Sequence, residues 1–500
     1  RVDPQEKIPL LILVKDADRF PVHLDQIQVT LSQEGKQDET RNISVDEDIH
    51  EHRWHRNLQL ERSNYQGEIH INIEFQYRIN GRSFTCVNHN LKLLKSRPLR
   101  VYLADEKLPG DNSVQWGDLH YHSNYTEDMV EFGAPLAATL DACNALGLNF
   151  VCITDHSYDL DDKYGSWKES DPELLRWKAS RDEIIRLNQQ TQASPFLVPG
   201  EELSLHNHRG RNIHALILNN KNFIPGQGDG AEKPLDFSCE FNTDSVYDEL
   251  EENAVCIAAH PFIPVPFFEW LLVKRGKWED DDIINDRLSG YQILNGALDA
   301  GFYTGRKIWI QHLLKGNKKY IYAGNDAHGN FNLFRQIATP MLSLVEKEEQ
   351  ILGECRTGVF PETPGDLAST LSALKSGNCM ITNGPFLNMK LVTSDAEIQL
   401  GGTLILDNDP IKDAELIVNC LSSREFGVLQ NLKVFQGITG ATAETLFFQK
   451  DFTDEGLYHF REELDLTNAG DCYLRAELET ISWGGKRLAM TNPIWIKKQA

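Results

Sequence analysis

Long apolar runs are missing from this 500-residue chain. No segment offers the roughly 18 consecutive apolar residues that a membrane helix needs, so no membrane partner is expected. The opening residues, RVDPQEKIPLL, lack the apolar centre and small-residue cleavage site of a signal peptide, and the expected location is cytoplasmic. Positive charge is also scarce: 50 Lys and Arg stand against 74 Asp and Glu, a formal charge of −24. Nucleic-acid binders replace phosphate counterions with basic patches, so this charge argues against DNA or RNA as the main partner, with a local basic pocket left open. No C-x-x-C occurs among the nine cysteines, which argues against a thiolate zinc site and fits a reducing compartment. Cys152 in FVCITDH and Cys256 in AVCIAAH sit inside apolar runs, where cysteine acts as a small core residue.

What remains is an ordinary globular composition, 41% hydrophobic and 25% charged, long enough for two to four domains at ~100–200 residues each. The first hundred residues read as strands. In GEIHINIEFQYRI the apolar side chains Ile69, Ile71, Ile73, Phe75, Tyr77 and Ile79 share one face, and Asn80-Gly81 is a two-residue hairpin turn. A small antiparallel β-sandwich is expected over residues 1–105.

From Trp116 the texture changes to short apolar runs alternating with helical patterns. APLAATLDACNALG reads as a helix with Pro135 in its first turn and Gly147 at its end. DPELLRWKASRDEIIRLNQQ reads as a helix capped by Asp171 with Pro172 as its first residue. NFVCITDH, FLVPGEEL, NIHALIL, AVCIAAHP, GYQILNG and KYIYAGNDAHG read as buried parallel strands. The alternation predicts an α/β barrel or an open parallel sheet over residues 106–385. FFEWLLVKRGKWEDDDIINDRL is read as a helix with an acidic surface loop rather than as an inserted lid. Strand texture returns after TNGPFL, which predicts a second β-sandwich over residues 386–500.

Nearly every apolar run of the middle region ends in metal-binding residue types: His120 and His122, Asp155 and His156, Glu201 and Glu202, His214, His260, Asp326 and His328. Strand ends of a parallel barrel converge on one face, so residues distant in sequence meet there. Residues two apart on a strand point the same way, so His120 and His122 can grip one ion, and Asp326 with His328 repeats the device. Imidazole with carboxylate suits zinc, manganese or iron, and Glu202 would bridge two cations. His206 and His208 in LHNHRGR are expected to be solvated. Arg209 and Arg211 are open to an anionic substrate or to water.

These motifs, in this order, resemble the PHP (polymerase and histidinol phosphatase) superfamily of metal-dependent phosphoesterases. Its pattern of D-L-H-x-H-S, T-D-H, G-x-E, an isolated His, A-H-P and D-x-H is matched by DLHYHS, TDH, GEE, His214, AHP and DAH across residues 116–385. GNDAHGNFNLFR and LKSGNCMITNGPF are similar to the CehA/McbA branch, named for carbaryl hydrolases. The resemblance implies a distorted (β/α)7 barrel, here flanked by N-terminal and C-terminal β-sandwiches, with two or three divalent metals. It implies His120, His122, His156, Glu202, His214, His260, Asp326 and His328 as ligands. A ninth falls in SNYTED, where Glu127 aligns best and Asp128 is the fallback.

The expected activity is hydrolysis of a small phosphoester by a metal-bound hydroxide, with Glu202 between the metals and Asp155 and His214 as candidates to orient or protonate. The alternatives are a carboxylic or carbamic ester hydrolase with the same cluster, an amidohydrolase, and a non-catalytic metal-containing binding protein. The amidohydrolase reading is disfavoured by the early T-D-H and the closing D-x-H.

Overall fold

A computed structural model gives the fold. It describes every residue except 89–95, 127–132, 167, 192–193, 231–235, 339–342, 407–413, 455, 467–470, 483 and 499–500. The chain divides into two compact units: residues 1–108 with 140–147 and 335–346, and residues 109–139, 148–334 and 347–500.

The first unit contains strands β1 (Ile8–Lys15), β2 (Val22–Ser32), β3 (Glu39–Ile49), β4 (Arg53–Leu60), β5 (Gly67–Ile79), β6 (Arg82–Val87) and β7 (Leu99–Leu103). β1 pairs with β4, while β3, β2, β5 and β6 form a second sheet with β7 on the side of β5. Ile8, Leu10 and Ile12 of β1 share one core with Ile27, Val29, Ile69 and Ile71 of the larger sheet. Asn80 and Gly81 both have positive φ, 49° and 75°, as a type I′ turn requires.

The second unit begins with β8 (Gln115–His122), buried at every position. It continues through β9 (Phe150–Ile153), β10 (Phe196–His206), β11 (Asn212–Leu218), β12 (Val255–Ala258), β13 (Leu288–Asn295), β14 (Tyr320–Gly324) and the two-residue β15 (Ala327–His328). Those strands neighbour one another in chain order from β8 to β14, and β15 pairs in parallel with β8. Among the described residues six α-helices lie between strands: α1 (Leu136–Leu146), whose residues from Leu140 on belong to the first unit, α2 (Ser157–Leu160), α3 (Leu175–Thr191), α4 (Phe267–Leu272), α5 (Ala300–Leu314) and α6 (Leu367–Ser376).

The expectation of parallel strands fails at NIHALIL. β11 runs antiparallel to both β10 and β12. The five residues 207–211 between β10 and β11 make a tight turn, with Asn207 N donating to Arg211 O, and a parallel crossover needs a dozen residues or more. The predicted start of the second helix also shifts. Leu174 adopts φ 51°, which a right-handed helix cannot contain, so α3 begins at Leu175. Asp171 still caps the segment, accepting from Glu173 N and Leu175 N.

The sheet does not stop at residue 385. Arg356–Val359 pairs with β8, Cys379–Thr382 pairs with Arg356–Val359, and Gly485–Thr491 pairs with Cys379–Thr382. The Asn492 side chain then accepts from Ile321 N and donates to Cys379 O, stitching this far end onto β14. A separate four-stranded sheet, Glu397–Ile398, Phe386–Val392, Glu415–Leu421 and His459–Asp465, completes the unit. No helix among the described residues is long and apolar enough to cross a membrane.

Candidate metal centre

β8 ends in His120 and His122, and their Nε2 atoms lie 3.1 Å apart. Each imidazole is oriented from behind. His120 Nδ1 lies 2.9 Å from Gln292 Oε1, whose amide nitrogen donates to Asn295, so Nδ1 carries the proton. His122 Nδ1 lies 3.3 Å from Thr126 Oγ1, a hydroxyl that itself donates to Asp155. Both rings therefore turn an Nε2 lone pair toward the same point. Two lone pairs at that separation repel unless a cation or proton lies between them.

Glu202 faces that point from β10. Its Oε2 is 3.1 Å from His120 Nε2, 3.2 Å from His122 Nε2 and 3.1 Å from His156 Nδ1. Its Oε1 is 2.8 Å from His214 Nδ1 and 3.1 Å from His260 Nε2. Asp326 Oδ1 completes the first set, 3.3 and 3.2 Å from His120 and His122. His328 stacks on His122 with ring centroids 4.0 Å apart, and its Nδ1 donates to Asp326 O, leaving Nε2 as its binding nitrogen. Three donor groups result: His120, His122, Glu202 and Asp326; Glu202, His214 and His260; and His122, His156 and His328.

The donor chemistry fits divalent ions. Ligand atoms about 2.0–2.1 Å from a tetrahedral ion lie roughly 3.3 Å from one another, the spacing seen here. Electrostatics agree. Burial disfavours charge on His120, yet Glu202 and Asp326 lift its pKa to about 9. Burial likewise favours a neutral Glu202, but the imidazoles around it win and hold it well below the usual carboxylate range. The point between these groups calls for positive charge. His260 and Asp326 reach it with φ of 30° and 54°, backbone strain concentrated at two members of the cluster.

The remaining predicted residues are placed as follows. Glu127 and Asp128 lie outside the described residues. Asp155 is buried but turned from the cluster. Its oxygens accept from Ser123 N and Oγ at 2.6 and 2.7 Å and from Thr126 Oγ1 at 3.0 Å. Those bonds shape the segment after His122. Glu201 faces α3, meeting Arg181 at 3.0 Å and the Trp177 indole at 3.1 Å. His206 bonds Phe237 O and His208 bonds Asp282, both away from the cluster. Arg209 pairs with Glu279, and Arg211 donates to Trp270 O.

Residues the sequence reading passed over complete the site. Gln292 orients His120, as described. Asp229 Oδ2 lies 3.0 Å from His214 Nε2, on the side of the ring away from Glu202. Arg275 Nη1 donates to Asn212 Oδ1 at 3.0 Å and lies 2.6 Å from His214 Nε2, competing with Asp229 for that nitrogen. Buried Asp118 accepts from His120 N, Asn325 and Gly353 N, tying β8 to the segment that carries Asp326. Burial raises its pKa to about 6 despite those bonds. Gly324 is required by close approach, since a Cβ there would come 2.8 Å from His120 and 2.9 Å from Gln292 Nε2. Periodicity marks none of these positions; the D-L-H-x-H motif marks only Asp118.

A cavity of about 280 Å³ opens beside the second donor group, lined by His214, His260, Arg275, Lys277, Pro266 and Glu269 among others. It leaves open space next to the cluster. Two exposed groups in the first unit, Asp16, Asp18 and His52 and also His23, Asp25 and Asp46, have metal-binding residue types but lack such enclosure.

No family model matches the chain, and no curated protein matches it. Among solved structures it is similar to a Bacteroides uniformis β-glucuronidase, with 10% identity and a TM-score of 0.18 over 100% of this chain and 60% of that one. A Parabacteroides merdae β-glucuronidase gives 9% identity and a TM-score of 0.20 over 99% of this chain and 65% of that one. The chain thus spans less than two thirds of the length of either enzyme.

Proposed function

We propose that the chain is a metal-dependent hydrolase of PHP type acting on a small phosphoester. One observation carries the reading: the two oxygens of Glu202 face two different imidazole sets, with Asp326 closing the first. A carboxylate so placed would be shared by two of the donor groups if both held cations. The return of β15 onto β8 and the order of the intervening strands support a distorted (β/α)7 barrel as the scaffold. Zinc, manganese or iron, two or three ions, would occupy the three donor groups.

Bound divalent ions supply water activation near neutral pH and neutralise charge on the attacked group. The chain's own residues do the rest. His120, His122, Glu202 and Asp326 form the first pocket, His214 and His260 the second, and His156 and His328 the third. Gln292 and Thr126 hold His120 and His122 with their Nε2 lone pairs facing inward. Arg275 and Lys277 line the cavity, where they offer cationic donors to an anionic ester.

The test is a panel of p-nitrophenyl phosphates, naphthyl esters and carbamates with zinc-, manganese- or iron-loaded protein. Phosphates should turn over fastest. Preferential turnover of carbamates or carboxylic esters would move the assignment to that class. Stoichiometric metal with no turnover of any of them would leave a binding protein.

A further inference from the structure

α4 is unusual in having no buried residue. Its sequence, FFEWLL, is nonetheless apolar at five of six positions, and Phe267, Phe268 and Leu272 are 65%, 70% and 62% exposed. Six residues are too few for a helix to stand alone in water. Polar bonds to β11 fix it instead. Asn212 N donates to Lys274 O at 3.1 Å, and Gly276 N donates to Asn212 O at 2.7 Å. Arg211 donates to Trp270 O at 2.9 Å and covers the Trp270 ring at 4.2 Å. Asn212 is two residues from His214, so the helix is anchored to the strand that delivers a member of the cluster. Pro266 and Glu269, at the start of α4, also line the cavity. The apolar surface therefore begins where the cavity opens.

A contiguous apolar patch kept in water on a fixed backbone marks a binding surface. We infer that the substrate is an amphiphilic anionic ester whose charged head enters the cavity beside His214, His260 and Arg275 and whose alkyl or aryl arm lies on α4. The inference rests on the hydrolase reading of the same site and names its substrate class. The cavity has room for a small head only, so a longer arm must leave through the mouth. Glu269 at that mouth repels a second anionic group, which makes the arm uncharged. The formal charge of −24 opposes docking on an anionic bilayer.

The experiment titrates zinc-loaded protein with methyl, butyl and octyl phosphate by calorimetry. It is repeated on the Phe267→Ser/Phe268→Ser/Leu272→Ser variant, whose changes are all at exposed positions. Half-burial of an arm gives about twofold per methylene, so octyl phosphate should bind roughly tenfold or more tighter than butyl phosphate. The variant should lose most of that gain while keeping its zinc content and its affinity for methyl phosphate. Equal affinity for butyl and octyl phosphate, or a gain the variant retains, would overturn the inference. So would a wild-type dimer that the variant dissociates, or binding to phosphatidylcholine vesicles that the variant abolishes. A chain-length gain without turnover would reject the hydrolase reading and leave the binding surface standing.

Discussion

Glu201 and Glu202 are adjacent, and their side chains leave β10 on opposite faces. Glu202 faces the imidazoles, while Glu201 meets Arg181 and Trp177 of α3. The alternation of a strand alone produces this division. Glu202→Gln removes the negative charge between the donor groups. It should lose at least one metal and lower kcat by on the order of 10²-fold. Glu201→Gln should keep its metal and cost about 1–3 kcal/mol of stability through the weakened Arg181 contact. Metal analysis, kcat and thermal melts of both variants separate the roles.

Metal removal should both inactivate and destabilise. Two carboxylates and six imidazoles crowd into three donor groups, the atoms of each within 4.8 Å of one another. Ions that bind the folded chain stabilise it by about 4 kcal/mol at a thousand times Kd. Chelation should lower Tm by several degrees and abolish turnover, and readded metal should restore both. Full activity after exhaustive chelation would overturn the metal centre.

Gln292→Ala leaves every proposed ligand in place but frees His120 to rotate and to change tautomer. Loss of such a partner lowers metal affinity by about 10–100-fold. Excess metal should rescue activity in this variant and fail to do so in His120→Ala. A competition titration with a chromogenic chelator reads the difference.

Acid sensitivity has a source remote from the metals. Glu477 meets Arg306 at 2.7 and 2.9 Å and also touches the fully buried Arg475. Burial raises its pKa, but the two guanidinium groups outweigh burial and hold it below the usual carboxylate range. A carboxyl lowered in the folded state contributes stability that is present above its unfolded value of about 4.3. That contribution is lost as pH falls through the folded value. Glu477→Gln should therefore reduce stability at pH 7 and flatten its decline below about pH 4.5. Parallel curves for the two proteins between pH 7 and 3 would contradict this account.

Most histidines of the cluster were legible in the sequence because they end an apolar run, and buried strands deliver such ends to one place, whereas His214 lies near the start of the antiparallel β11. The opposed faces of Glu201 and Glu202 follow from the same period of two. The direction of β11 was not legible, since a strand buried on both faces has one composition whichever way it runs. Only the five-residue loop at 207–211 carried the signal. Gln292, Asp229 and Arg275 act singly, each reaching a distant histidine, and a lone polar residue has no periodicity to betray it. Asp155 stands beside the ligand His156 in T-D-H, and its oxygens accept from Ser123 and Thr126.

The Asn492 side chain bonds Ile321 across 171 residues of sequence. During synthesis, β14 therefore lacks that partner until residue 492 has left the ribosome. The nascent cluster can gather its histidines earlier, but the strand that leads to Asp326 stays unsecured. A ribosome-bound chain stalled before Gly485 should accordingly bind metal weakly and resist protease poorly, and release of the full chain should bring both properties together.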